Sequence, residues 1–394
     1  MRLRRAGLLL ACAVLCCVCA AARAEVAQDL TAQVRLDAGE RLGELEKLAD
    51  RDYATAWTAR QAATSWVSVT SDAPVAGLYI AWAEPARPWR LEAMRDGAWT
   101  AIAHGGASGY VHEYLPVPGD ERVLRIVPEA GGAPFGMTEL FVLGEGEVPG
   151  WVQRWEPTVE KADLMILCAH PDDEFLYMGG TIPTYAGERK LRVLMVTMTW
   201  ANRTRRSELL NALWIGGLRN YPVMGDFKDQ MFNTQDAAYR AWKYGTTRAF
   251  IVGLFRRHQP EVVLTHDVRG EYGHGAHRLC ANVARYSVDA AMDYGKYIES
   301  SELYGTWQVK KLYVHLGEEH ALVMDWHVPL AAFDGRTALE VAIEAYGAHI
   351  SQHNSSNFQV MENYKHSCAE FSLLYTTVGW DEAKNDFFEH IPLP

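Results

Sequence analysis

The stretch Ala169-His170-Pro171-Asp172-Asp173-Glu174 sets a histidine and three acids directly after an apolar run, Leu164-Met-Ile-Leu-Cys168. So much negative charge against an apolar strand is costly without a counter-charge, so a cation is expected there. His170 and Asp173 are three residues apart and can converge from a turn entering a helix, which points Asp172 elsewhere. A second cluster, Thr265-His266-Asp267 through Tyr272-Gly273-His274-Gly-Ala-His277, follows another apolar run and again spaces two histidines by three. Two histidines and one carboxylate from separate loops suit a catalytic zinc that keeps an open coordination position, whereas a closed structural site uses four protein ligands, usually thiolates. The H-E-x-x-H zinc pattern is absent, as is a G-x-S-x-G nucleophile elbow. A glycosidase needs carboxyls about 5–9.5 Å apart across the substrate, and neighbours such as Asp172 and Asp173 do not provide that.

Both clusters require elements that bring them to one rim. From Asp163 onward, Leu164 to Cys168, Leu191 to Thr197, Val262 to Thr265 and Leu312 to His315 are continuous apolar runs, the pattern of strands covered on both faces. Helical stretches, including 205–218 and 247–257, lie between them. The alternation predicts an α/β, Rossmann-like, mainly parallel sheet, in which ligands bind beyond the carboxyl ends of the strands. The C-terminal third, with His349 and the 364–378 stretch, is expected to complete this domain.

Residues 30–148 read differently. Short apolar-polar alternations at 66–70, 78–82, 89–93, 123–127 and 137–142, with an Asp96-Gly97 hairpin turn, predict an antiparallel β-sandwich. A Gly- and Glu-rich segment at 144–150 reads as a linker. At 394 residues the chain exceeds the roughly 250–300 at which one core stops growing, so two domains are expected, 25–150 and 151–394.

The start of the chain has the pattern of a secretory signal over 1–24: Arg2, Arg4 and Arg5, an apolar stretch from Ala6 to Ala22, and an Ala22-Arg23-Ala24 cleavage site. Export to the periplasm or the extracellular space is expected, with no integral membrane segment after cleavage. Cys12, Cys16, Cys17 and Cys19 leave with it, so Cys168, Cys280 and Cys368 remain, too few for a disulfide scaffold but enough for one bridge. Losing four arginines takes the formal charge from −11 to −15, which disfavours nucleic acid as a partner.

Residues 163–280 resemble the PIG-L, or LmbE-like, family of zinc-dependent N-acetylglucosaminyl de-N-acetylases, through A-H-P-D-D-E at 169–174 and G-H-x-x-H at 273–277. The resemblance implies that His170, Asp173 and His277 ligate Zn2+, that Asp172 is the general base and that His274 polarises the carbonyl or stabilises the oxyanion. It places Tyr272 and Arg205 at substrate-binding positions. The family's usual Pro-Asp between the two histidines is replaced by Gly275-Ala276. Its substrate class is an N-acetylated sugar or glycoconjugate, from which the acetyl group is hydrolysed. The residues also admit a zinc amidase of other acyl specificity, or a non-catalytic glycan-binding surface protein with a structural metal. The N-terminal half resembles discoidin, or coagulation-factor type C, jelly-rolls in its strand pattern, and Trp57, Trp66, Trp82, Trp89 and Trp99 are candidates either for sugar stacking or for core. His266 and Asp267 are candidates for orienting a ligand, and His349 either lines the cleft or is a hydrogen-bonded structural histidine.

Overall fold

The computed structural model describes residues 25–200, 202–353 and 358–392; the expected export signal and its four cysteines lie outside them. Among the described residues no helix is long and apolar enough to cross a membrane.

Alternation builds the N-terminal half. One antiparallel sheet runs in the order Arg35–Ala38, Val67–Thr70, Val123–Pro128, Trp89–Arg95, Ala98–Gly105, and a second runs Trp57–Thr58, Gly136–Leu143, Gly77–Trp82, His112–Pro116. Val67, Val69, Leu91, Leu124 and Ile126 of the first sheet share one core with Leu78, Ile80, Met137, Leu140 and Val142 of the second, which makes a sandwich. The predicted hairpin is present: Asp96 (φ 50°) and Gly97 (φ 79°) are both left-handed, the turn whose twist matches that of the flanking strands. Trp57, Trp82 and Trp89 are core residues. Trp66 and Trp99 are half-buried and flank the Arg125 guanidinium, at 6.0 and 4.4 Å, so none of the five tryptophans presents a bare stacking platform.

The 144–150 segment, expected as a linker, is pinned by backbone hydrogen bonds between Gly144 and Gln28, between Glu147 and Glu25, and between Ala27 and Glu147. The two halves also pack directly. Tyr110 stacks on Tyr221 at 4.3 Å, the Val111 N–H donates to the Tyr221 hydroxyl, and the Arg206 guanidinium donates to the Ala83 carbonyl at 2.7 Å.

The second half carries a seven-stranded sheet. Val223–Met224, Val193–Thr197, Leu164–Cys168, Val262–Thr265 and Lys311–His315 are parallel neighbours in that order; Glu370–Thr376 and Ala321–Val323 add an antiparallel edge. Leu164, Ile166 and Cys168 pack to one side, Met165 and Leu167 to the other, so the continuous apolar run follows from helices on both faces. Arg203–Ile215 and Ala338–Tyr346 cover the first face, Tyr244–His258 and Gly275–Met292 the second. Strand order reverses between Leu164–Cys168 and Val262–Thr265, and the crevice beyond such a switch point is where ligands bind in open α/β sheets. Both motif loops leave from these two strands. Cys168, Cys280 and Cys368 are buried and unpaired, so the bridge that the sequence allowed is not formed.

Candidate active site

The first loop turns sharply. Asp172 has φ 116°, a region a side chain enters at a cost of order 1–3 kcal/mol and which is concentrated at functional sites. Its N–H donates to Glu174 Oε2 at 2.9 Å, and Glu174 Oε1 in turn meets His349 Nε2 at 2.7 Å. Both partners are fully buried, so this pair braces the turn from behind.

His170 Nδ1, the two Asp173 carboxylate oxygens and His277 Nε2 converge across the switch point, within two overlapping clusters that could hold an ion, His170–His274–His277 and Asp173–His266–His277. His170 Nδ1 lies 3.2 Å from His277 Nε2 and 3.3 Å from Asp173 Oδ2; His277 Nε2 lies 3.5 Å from Asp173 Oδ1. Tetrahedral ligands about 2.1 Å from an ion stand about 3.4 Å from one another, so the donor set fits a divalent cation. Two further observations agree. His277 Nδ1 faces Glu271 Oε2 at 2.6 Å, which leaves Nε2 to coordinate, the usual support of a metal-bound imidazole. Asp172 is pushed up to about 8 by burial and then by the Asp173 charge, a repulsion that a cation would relieve. Asp173 itself, despite burial, is held well below the usual carboxylate range by His277 and His266.

His274 caps the Gly275–Met292 helix: its Nδ1 accepts from the Ala276 N–H at 3.1 Å, so its proton sits on Nε2. Burial, with His277 and His170 close by, lowers it to about 2 and keeps the ring neutral. A neutral imidazole with a fixed N–H is a hydrogen-bond donor to a developing oxyanion.

His266 takes the orienting role expected of it: its Nε2 lies 2.9 Å from the Ala169 N and 3.3 Å from Asp173 Oδ2, and its Nδ1 meets Glu271 Oε1 at 3.2 Å. Asp267 orients no ligand: its carboxylate accepts from the Arg269 N–H within its own loop. His349 is the hydrogen-bonded structural histidine of the two readings: it is fully buried, pairs with Glu174 and does not line the cleft.

Arg205 and Tyr272 both line the cavity above these groups, which has a volume of about 290 Å³. Arg205 is not a free clamp. Its Nη1 pairs with Asp229 at 2.6 Å, and its Nη2 donates to the Pro171 carbonyl and sits 3.4 Å from Asp172. It therefore steadies the Asp172 turn while facing the cavity. Tyr272 stands 40% exposed at the mouth, its ring 5.7 Å from His277 and 5.4 Å from Phe358. Glu208, in the same Arg-Arg-Ser-Glu stretch as Arg205, accepts from the Ser351 N–H at 2.7 Å and so places the Ser351-Gln352 wall.

Sequence reasoning missed Glu271 and Asp229, and placed Glu174 in its motif without a role. Glu271 bonds His277, His266 and His315 and accepts from the Asp267 N–H. An acid six residues before a candidate ligand histidine was a readable signal for this partner. Asp229, in the irregular 225–234 segment, carries no comparable pattern.

The sequence profile of the PIG-L family, described as GlcNAc-PI de-N-acetylase, matches residues 165–288. The 1D-myo-inositol 2-acetamido-2-deoxy-alpha-D-glucopyranoside deacetylase of Rhodococcus jostii is 30% identical over 240 residues, spanning 48% of this chain and 81% of that protein. Among solved structures, the N,N'-diacetylchitobiose deacetylase of Pyrococcus horikoshii aligns at 18% identity over 49% of this chain and 72% of its own, with a TM-score of 0.38. An F5/8 type C domain from Bacteroides fragilis aligns at 13% identity over 30% of this chain and 96% of its own, with a TM-score of 0.25.

Proposed function

The chain belongs to the PIG-L family, and from that premise we propose that it is an exported, zinc-dependent N-deacetylase of N-acetylglucosamine-type sugars or glycoconjugates. The observation that carries the proposal is the meeting of His170, Asp173 and His277 at ligand spacing, with Asp172 and His274 beside them on one cavity. A curated relative deacetylates an N-acetylglucosamine-type glycoside, which supports the substrate class.

His170, Asp173 and His277 would hold the ion, which when bound lowers the pKa of water and polarises an amide carbonyl. Asp172 takes the proton of the attacking water, and its strained backbone and Arg205 hold its carboxylate at the cavity. The His274 Nε2–H donates to the carbonyl oxygen as charge develops, a contribution of about 3–4 kcal/mol for one well-placed donor. Asp172, now protonated by the attacking water, returns its proton to the departing amine. His274, lowered to about 2, is a poor proton carrier and serves as the neutral donor.

The test is acetate release from N-acetylglucosamine and its oligomers, abolished by a chelator and restored by zinc. Absence of acetate release from every N-acetylated sugar offered, with zinc present, rejects the reading.

A further inference from the structure

A second cleft lies at the junction of the two halves, with a volume of about 310 Å³. The sandwich supplies Tyr53, Tyr79 and Phe141, the connecting segment Trp151 and Gln153, and the second half Asn211, Trp214 and Ile350. Elsewhere at this junction aromatic rings are mated across the interface, as Tyr110 is with Tyr221. Here the surface is only partly covered: Trp151 stays 44% exposed, and Ile350 72%. Trp151 is held by the tilted Phe141 ring at 4.9 Å and edge-on by Tyr79 at 5.7 Å, so its position is fixed although its surface is open. A concave, mostly aromatic lining with a few polar groups is the composition of small-molecule sites.

The lining identifies the ligand class. None of the lining residues is itself charged, although the Arg51 and Arg219 guanidinium groups stack on two of the lining rings, Phe141 and Trp214, at 3.8 and 3.9 Å. The polar groups form one chain, Gln153 Nε2 donating to Asn211 Oδ1 at 2.6 Å and Asn211 Nδ2 to the Tyr53 hydroxyl at 3.2 Å. The open surface of Trp151 beside amide and phenol groups suits a pyranose ring, with its apolar C–H face and hydroxyl rim.

This cleft also adjoins the catalytic cavity. Ile350 faces the cleft, whereas Ser351 and Gln352 face the cavity, and successive Cα atoms stand only about 3.8 Å apart. The Arg203–Ile215 helix likewise carries Arg205 on the cavity and Asn211 on the cleft, about 9 Å along its axis at 1.5 Å per residue. One sugar ring cannot fill both, but an oligomer crossing the 350–352 turn can.

We propose that the junction cleft is a distal subsite that binds a second sugar ring of the glycan being deacetylated, making the enzyme selective for oligomers. This rests on the deacetylase reading. It is distinct from glycan binding by the sandwich alone, because the cleft exists only where both halves meet.

The test compares kinetics on N-acetylglucosamine and on its β-1,4-linked tetramer for the full chain, Trp151→Ala and Tyr53→Phe. The tetramer should show the lower KM. Trp151→Ala should raise the tetramer KM about tenfold and leave kcat and the monomer KM unchanged. Tyr53→Phe, which keeps its ring and serves if the tryptophan variant does not fold, should raise the tetramer KM about threefold. A KM independent of chain length overturns the proposal, as does an equal change for both sugars or a Tyr53→Phe variant identical to the parent. If no acetate is released from either sugar, the deacetylase reading is what fails, and tryptophan fluorescence titrated with the tetramer then decides the subsite. Quenching that Tyr53→Phe weakens sustains it; no quenching overturns it. A sedimentation shift from dimer to monomer in Trp151→Ala assigns the cleft to self-association and also overturns it.

Discussion

The sandwich core and the switch point of the parallel sheet are equally buried and opposite in chemistry. In the first, Trp57, Leu78, Ile80, Leu91 and Ile126 fill the space between two sheets with apolar side chains. In the second, the side chains of Asp173, Glu174, Glu271, His266, His277, His315 and His349 are all no more than 4% exposed. Burying charge is costly unless it is paired, and it is paired here around one gap at ligand spacing. The difference teaches that interior position alone does not mark a structural residue. The sandwich core serves packing, whereas the switch point gives up packing energy to preorganise donors.

The sharpest way to break that contrast is Asp172→Asn. Turnover should fall about 10³-fold, with zinc content by atomic absorption unchanged; a variant of normal rate removes Asp172 from the mechanism. Trp57→Ala is the counterpart in the sandwich. It should lower unfolding free energy by about 3–5 kcal/mol in denaturant titration while the folded fraction keeps its kcat, since it leaves a cavity far from the acetamide. If kcat falls in proportion to stability, the two regions are not separable.

Glu271→Gln sharpens the comparison from within the site. Losing the carboxylate behind His277 should weaken zinc binding about 10–100-fold in competition with a chromophoric chelator, although Glu271 touches no ion. Unchanged affinity would make it a packing residue like those of the sandwich.

The smallest effect is expected where the two regions meet. His112 is fully buried between the Tyr79 hydroxyl (2.8 Å) and Ser207 Oγ (3.1 Å), and burial, with Arg206 nearby, depresses it to about 3. The unfolded chain takes up this proton near pH 6.5 and the folded one only near 3, so stability from the neutral ring is complete above about 6.5 and lost as pH falls toward 3. The thermal midpoint of His112→Gln should therefore depend less on pH between 6.5 and 4 than that of the parent; parallel curves would locate the acid sensitivity elsewhere.

Much of the site could be read from neighbours in sequence. The histidine and acids after Leu164–Cys168, and the histidine pair at the start of Gly275–Met292, are local patterns whose spacing forces side chains to one side of a turn. Continuous apolar runs announced strands covered on both faces, and Asp96-Gly97 its hairpin. Local residues could not reveal which side chains stand behind the ligands. Glu174 meets His349 across 175 positions and Ala169 meets His266 across 97, and only the fold brings such pairs together.

The chain's own alphabet therefore settled the two loops, the strands that carry them and the turn chemistry, because propensity, periodicity and short spacings act within a few residues. Packing alone decided that Trp57, Trp82 and Trp89 are core, that Arg205 is tied to Asp229, and that Trp151 borders an open cleft. A side chain's exposure and partners depend on what distant segments lay against it, and no local pattern encodes that.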